Sequence, residues 1–366
     1  MTYFDHNATT PLDERVLAAM LPFLTTFYGN PSSLYRHGRL ARTAIDTARE
    51  QLAALIDAPA AQIIFTSGGT EANNLALASL PPHGTLAISA IEHASITEPA
   101  QRLHELGTPL DILPVDSNGC INTQNLPKHA PDLVSVMLAN NETGAIQDLA
   151  PLVAKLTGLG TVIHTDAVQA LGKIPLSFRQ LGVQLMSLSS HKIYGPKGCG
   201  ALVYDKDTAI TPLLLGGGQE QAQRAGTENV AAIVGFGKAA ELAKAEMAER
   251  SLHTRQLRDM LEAGLAECPG AVIFAQDAQR LPNTVQFGLP DTDGEMLLMK
   301  LDKKAIAISS GSACASGGSL PSPVLLAMGV AADVAKSAIR VSFGAHNTPD
   351  QVYDFIKQLQ ALVYQA

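Results

Sequence analysis

From about residue 60 to 205 the chain repeats one phrase: a short apolar run, a polar or small-residue turn, then a helix-like stretch. The blocks Gln62–Phe65, Thr85–Ser89, Leu133–Leu138, Thr161–Thr165, Leu185–Ser189 and Ala201–Tyr204 are several times near-continuous Val, Ile and Leu. That pattern predicts buried strands of a mostly parallel sheet, covered on both faces. Helices are predicted at Glu71–Ser79, Ile96–Leu106 and Leu149–Leu156, and a long alanine-rich one from Val230 to about Leu265 carries the chain out of the large domain. Beyond 265 the rhythm loosens. It reads as strand Asn283–Phe287, helix Gly294–Leu301, strand Ala305–Ser309, two short helices, strand Ile339–Phe343 and a final helix from Thr348, a smaller α+β domain. Residues 1 to about 20, with Asn7-Ala8-Thr9 and Pro11, read as extended or turning chain rather than a core element. The expected division is 16–255 for the large domain and 1–15 with 256–366 for the small one.

Composition narrows the function classes. A chain of 366 residues with 46% hydrophobic positions is neither a disordered tail nor a disulfide-stapled miniprotein, and it has room for about two domains with a cleft between them. Its net charge of −8, without a Lys/Arg run, removes the attraction that nonspecific nucleic-acid or anionic-membrane binding requires. Cysteines at 120, 199, 268 and 314 form no C-x-x-C pair and have no zinc-ligand spacing, so no metal and a reduced compartment are expected. Met1–Asp5 lacks a basic n-region followed by an apolar h-region, and no 18-residue apolar run free of a charge or breaker occurs. The expectation is a cytoplasmic protein.

Three passages carry chemistry. In Ile63-Ile64-Phe65-Thr66-Ser67-Gly68-Gly69-Thr70-Glu71-Ala72-Asn73-Asn74 a buried strand breaks at two glycines and opens a helix, where backbone N–H groups and the helix dipole suit a phosphate; an ordinary βα connection is the alternative. In His164-Thr165-Asp166-Ala167-Val168-Gln169, His164 and Asp166 share a face at the end of a strand. The Asp166 carboxylate suits a metal, a general base or a protonated ring nitrogen, or simply caps the next helix. In Ser189-Ser190-His191-Lys192, a lysine follows a buried strand, either solvated or held in a cleft as a reactive amine. Asp166 and Lys192 lie one strand–helix–strand step apart, at the carboxyl ends where open α/β sheets bind ligands. A phosphate turn, a strand-end aspartate and a strand-end lysine are together what pyridoxal phosphate needs: an anchor, a partner for the pyridine nitrogen and a Schiff-base amine.

At these residues the whole chain resembles the cysteine desulfurases, fold-type I pyridoxal-phosphate enzymes related to class-V aminotransferases. The resemblance runs through Thr66–Asn74, Glu92-His93, Asn140-Asn141-Glu142-Thr143-Gly144, His164–Gln169, Ser189–Lys192 and Ser309-Ser310-Gly311-Ser312-Ala313-Cys314. It implies an α/β fold with a mostly parallel seven-stranded sheet and a smaller α+β domain. Lys192 would carry the cofactor, Asp166 would face its pyridine nitrogen, and Gln169 and Asn141 its phenolic oxygen. His93 would stack on the ring and shuttle a proton. Gly69, Thr70, Ser189, Ser190 and His191 would complete the cofactor site around the phosphate, joined by Thr227 of a second subunit, from a glycine-rich loop that makes the enzyme a homodimer. Asn141 and Arg340 would hold the substrate, Arg340 through its carboxylate, with an internal ion pair to an acidic side chain as the alternative for Arg340. Cys314, on a loop of small residues, would be the nucleophile that takes sulfur from L-cysteine, leaving L-alanine and a Cys314 persulfide. That sulfur would pass to an acceptor or an iron–sulfur scaffold protein, for cluster assembly or thio-modification. Cys120, Cys199 and Cys268 read as structural, and His6 and Asn7 receive no role. The rival readings are selenocysteine lyase, another class-V aminotransferase-type enzyme, or a non-catalytic assembly partner.

Overall fold

The computed structural model describes residues 1–123, 126, 129–310 and 320–364. In chain order the elements are β1 (Thr2–Tyr3), α1 (Glu14–Thr25), α2 (Arg36–Ile56), β2 (Ile63–Thr66), α3 (Gly69–Ala78), β3 (Leu86–Ser89), α4 (Ala94–Glu105), β4 (Leu110–Leu113), β5 (Leu133–Ser135), α5 (Ala150–Leu156), β6 (Val162–Asp166), α6 (Phe178–Leu181), β7 (Leu185–Ser189) and β8 (Gly200–Tyr204). The remainder comprises α7 (Val230–Ala266), β9 (Val272–Ile273), β10 (Thr284–Gly288), α8 (Gly294–Asp302), β11 (Ile306–Ala307), α9 (Pro323–Ala327), α10 (Ala332–Lys336), β12 (Ile339–Ser342) and α11 (Pro349–Tyr364).

The apolar blocks form one seven-stranded sheet in the order β2-β8-β7-β6-β5-β3-β4. All neighbours run parallel except β8, which is antiparallel to both β2 and β7. Alternate side chains supply two cores, as buried strands require. Phe65, Val134, Met186 and Val203 pack on one face against α2 and α7, while Ile64, Leu133, Leu185 and Leu202 pack on the other with α3 and α4. At the centre, His164 on β6 is fully buried and bridges its neighbours, with Nδ1 2.9 Å from Ser135 Oγ on β5 and Nε2 2.9 Å from Ser187 Oγ on β7. Burial pushes its pKa down to about 3, so the ring is neutral in the fold.

The sequence reading passed over β4, whose Asp111 and exposed Ile112 blur the apolar signal of an edge strand. It also passed over α1 and α2. In α2 the buried residues Ala41, Ile45, Ala48 and Leu52 recur at helical spacing and pack against α7, but alanines and interspersed charges mute the stripe.

The second core surrounds the antiparallel sheet β12-β10-β9 and the parallel pair β1-β11. Here the expectation for the N-terminal segment needs correcting: β1 pairs with β11, and Phe4 is fully buried, edge-on to Phe343 at 5.2 Å and to Phe355 at 5.8 Å. Two residues of strand are too short to carry a pattern. Helix α7 serves both cores, giving side chains between Ala232 and Ala243 to the large sheet and Leu257, Leu261 and Leu265 to the second.

Two outcomes follow from this packing. Phe4→Ala removes an aromatic side chain from the middle of the small core and is expected to lower stability by about 3–5 kcal/mol in urea denaturation, a loss under about 1 kcal/mol contradicting that placement. His164 is neutral when folded but protonates below about pH 6.5 when unfolded, so its share of stability is complete above pH 6.5 and drains away as pH falls toward 3. His164→Leu, which strands the two serine hydroxyls, is expected to be less stable than wild type by about 1–3 kcal/mol at pH 7.5. Melting temperatures recorded from pH 7.5 to 4 should fall less steeply for that variant than for wild type.

Candidate active site

The strand ends of β6 and β7 set the site. Asp166 closes β6 and is 5% exposed; its Oδ1 accepts from the Val168 N–H at 2.9 Å and its Oδ2 from Asn73 Nδ2 at 2.7 Å. The same Asn73 amide donates to Ser95 Oγ at 2.8 Å. His93 caps α4: the Ser95 N–H donates to His93 Nδ1 at 3.1 Å, and Ser95 Oγ lies 2.7 Å from that nitrogen. Because a backbone N–H can only donate, Nδ1 is the acceptor and the proton of the neutral ring sits on Nε2. A buried relay thus joins His93 to Asp166 through Ser95 and Asn73. Burial lowers the His93 pKa, Asp166 opposing this and Lys192 adding to it. Beside His93, Glu92 is buried and accepts from Ser89 Oγ at 2.5 Å and the Met137 N–H at 2.7 Å. Burial, with the neighbouring charge of Asp166, raises its pKa to about 8, so no second carboxylate charge competes with Asp166 at neutral pH.

Lys192 follows β7 in a single helical turn. Its Nζ donates to the backbone carbonyls of Asn7 at 2.5 Å and Ala8 at 2.7 Å. The Asn7 carbonyl also accepts from Gln169 Nε2 at 3.0 Å, and Gln169 Oε1 and Asn7 Oδ1 accept from Lys173 Nζ at 2.7 and 2.8 Å. Asn7 Nδ2 reaches the Asn141 carbonyl at 3.2 Å and Thr284 Oγ1 at 2.9 Å. The Asn141 carbonyl takes a second bond from Arg340 Nη1 at 2.9 Å. Arg340 is buried and ion-paired to Asp5 at 2.6 Å, the alternative left open by the sequence, while its Nε has no partner among the described residues. Behind Lys192 lies a cleft lined in part by His6, Lys173, Tyr194, Arg250 and Asn283.

The residues around the β2–α3 turn suit a phosphate. Helix α3 begins at Gly69 with no side-chain cap, and the fully buried Ser189 Oγ has no partner among the described residues. A Cβ on Gly69 would lie 3.0 Å from Val168 and 3.6 Å from Ser189, so glycine keeps this notch open. Thr70 is exposed at the same helix end. His191 Nδ1 lies 3.1 Å from Thr9 Oγ1, and burial, with Lys192 and Lys197 nearby, lowers its pKa to about 4. Ser190 Oγ is instead packed under the next turn, 2.0 Å from where a Gly195 Cβ would be. Thr227 is exposed, in a loop held to α3 by the Arg224–Glu71 ion pair at 2.8 Å. Cys314 lies outside the described residues. The chain on either side is anchored, Ser309 to the Arg340 backbone and Ser322 Oγ to Glu142 at 2.6 Å. Burial raises the Cys120 and Cys199 thiols, and no described cysteine is paired in a disulfide.

Sequence reasoning brought together Asp166, Lys192, Gln169 and Asn141 but gave no role to Asn7, Asn73, Ser95 or Lys173. Asn73 lay inside a quoted motif; Lys173, an isolated cation after Gly172 in an apolar stretch, was the other available signal. No described helix is long and apolar enough to cross a membrane, and no group of metal-ligating side chains occurs among the described residues.

The family model for class-V aminotransferases matches residues 2–355. A protein of Dictyoglomus turgidum named cysteine desulfurase IscS is 42% identical, the match covering 99% of this chain and 94% of that one. The solved structure of a NifS-like protein superposes with a TM-score of 0.92 at 35% identity, covering all of both chains. That of SspA in complex with cysteine does so with a TM-score of 0.83 at 28% identity, covering 95% of this chain and 100% of that one. The chain belongs to the class-V aminotransferase family, among its cysteine desulfurases.

Proposed function

We propose that this chain is a pyridoxal-phosphate-dependent enzyme that removes sulfur from L-cysteine, releasing L-alanine and holding the sulfur as a persulfide on Cys314. The observation that carries the reading is the convergence of Lys192, the Asp166–Asn73–Ser95–His93 relay and the uncapped α3 terminus with the unpartnered Ser189 hydroxyl at one end of the sheet. Class-V aminotransferases and NifS-like proteins are pyridoxal-phosphate enzymes, and the donor set fits that group here. Lys192 would hold it covalently, Asp166 would face its ring nitrogen, and Gln169 and Asn141 would lie at its phenolic oxygen. Gly69, Thr70, Ser189, Ser190 and His191 would complete its site, with Thr227 contributed by a second subunit of a homodimer. When bound, the cofactor supplies an electron sink that weakens the bonds around the substrate α-carbon.

The chain's own residues do the rest. The unpartnered Nε of Arg340 offers a donor for the substrate carboxylate. Once released from the Asn7 and Ala8 carbonyls, Lys192 Nζ moves the α-proton, and His93 delivers a proton through Nε2. Cys314 Sγ attacks the substrate sulfur. The carbon–sulfur bond breaks, a sulfur–sulfur bond forms, and the thiol proton balances the methyl group of alanine. The persulfide then serves an acceptor or iron–sulfur scaffold protein, which fits a reducing compartment such as the cytoplasm. A division at 16–255 and 1–15 with 256–366 fits α7, where the buried side chains change core between Ala243 and Leu257.

Cys314→Ser is expected to keep bound cofactor and lose sulfur transfer by on the order of a thousandfold or more, as deletion of a nucleophile does. Alanine and sulfide measured from purified protein and L-cysteine decide this; unchanged yields would sink the assignment. Lys192→Ala is expected to emerge colourless after dialysis against buffer, whereas wild type stays yellow, and a Lys192→Ala protein whose visible spectrum matches wild type would remove Lys192 from its role.

A further inference from the structure

We propose that Lys173 is a positioning residue that fixes which end of the Gln169 side-chain amide faces the active site. An amide side chain can present either its oxygen or its NH2, and only its neighbours decide. Lys173 Nζ stands between two amides, 2.7 Å from Gln169 Oε1 and 2.8 Å from Asn7 Oδ1. The opposite ends of both amides are already committed. Gln169 Nε2 donates to the Asn7 carbonyl at 3.0 Å, and Asn7 Nδ2 donates to the Asn141 carbonyl and Thr284 Oγ1. Asn7 Oδ1 also accepts from Asn283 Nδ2 at 3.0 Å, so the donor is required at Gln169 Oε1, and an amine there has N–H groups for both oxygens whether or not it is charged. Burial, with the charges of Lys192 and Arg340 nearby, pushes the Lys173 pKa well below the usual lysine value, and among the described residues no carboxylate pairs with its amine. Uncharged, the amine could make both bonds without placing a second cation beside Lys192.

The arrangement has a directional consequence. With Oε1 held by Lys173, Gln169 turns its NH2 toward the Asn7 carbonyl, the same atom that accepts from Lys192. When Lys192 leaves that carbonyl to carry a cofactor, the end of Gln169 on that side is a donor, as an anionic oxygen needs. Without Lys173, Oε1 loses its donor and the Asn7 carbonyl alone opposes the turn that would bring the amide oxygen inward, where it would repel such an oxygen. The proposal rests on the reading that the site holds pyridoxal phosphate with Gln169 among its contacts.

The test is a double-mutant cycle on the apoprotein, titrated with pyridoxal 5′-phosphate, in which the dissociation constant is read together with the pH midpoint of the visible band of the reconstituted protein. Lys173→Met is expected to weaken cofactor binding about tenfold, the weight of one hydrogen bond, and to move the spectral midpoint by about one unit. Gln169→Leu is expected to do at least as much, and the double variant no more than Gln169→Leu alone. Lys173→Arg, which keeps donors in place, should recover most of the affinity. If Gln169→Leu shifts both quantities while Lys173→Met shifts neither, or if the two losses simply add, the positioning role is overturned and the site reading stands. If Gln169→Leu itself shifts neither, the cofactor contact is wrong and the proposal falls with it. Should Lys173→Met fail to fold, as judged by its circular dichroism, Lys173→Leu, which likewise carries no donor, takes its place in the cycle under the same criteria.

Discussion

The carbonyl oxygen of Asn7 is the point on which the two cores and the chemistry converge. It takes the amine of Lys192 and the amide of Gln169 from the large sheet, while the Asn7 side chain binds Thr284 of β10 and the preceding Asn283, and its backbone N–H binds Ser342 of β12. A single residue cannot make those bonds unless both cores are correctly placed, and buried polar groups left without partners are costly. The hub therefore makes the spacing between the two sheets part of the geometry of Lys192. It also explains why the N-terminal segment threads between them: Phe4 anchors in the small core, and Thr10 bonds the His191 backbone of the large one at 3.0 Å.

Around that hub the protein manages charge by burial rather than by exposure. Asp166 receives two hydrogen bonds, which satisfy a buried carboxylate without a cation in direct contact. Glu92 takes both of its hydrogen bonds on Oε1, leaves Oε2 without a partner among the described residues, and is held neutral at pH 7 by burial, which raises its pKa to about 8. His93 and His191 are both pushed toward their neutral forms. The result is a site with one hydrogen-bonded carboxylate, the Lys192 amine and imidazoles pushed toward their neutral forms, groups suited to moving protons.

Much of this was legible in the chain. Continuous apolar blocks announced the central strands, because a strand buried on both faces cannot alternate with polar residues. The glycine pair before Thr70 and the strand-end positions of Asp166 and Lys192 followed from the same pattern. Less visible were α2, whose stripe is built from alanines, and β1, too short for any periodicity. His164 and Asp166, two residues apart, share one face of their strand; burial between Ser135 and Ser187 makes one a structural tie, and Asn73 makes the other a hydrogen-bonded carboxylate.

The sequence by itself determined the sheet-forming blocks, the turn that opens α3 and the kinds of chemical group present, since these depend on neighbours a few residues apart. The tertiary structure alone decided the partners: Arg340 with Asp5, Asn73 with Asp166, Lys173 with Asn7 and Gln169. Those contacts, apart from Lys173 with Gln169, join residues far apart in the chain. Strand order and burial bring them together, and a hydrogen bond forms only where both ends are held within about 3 Å.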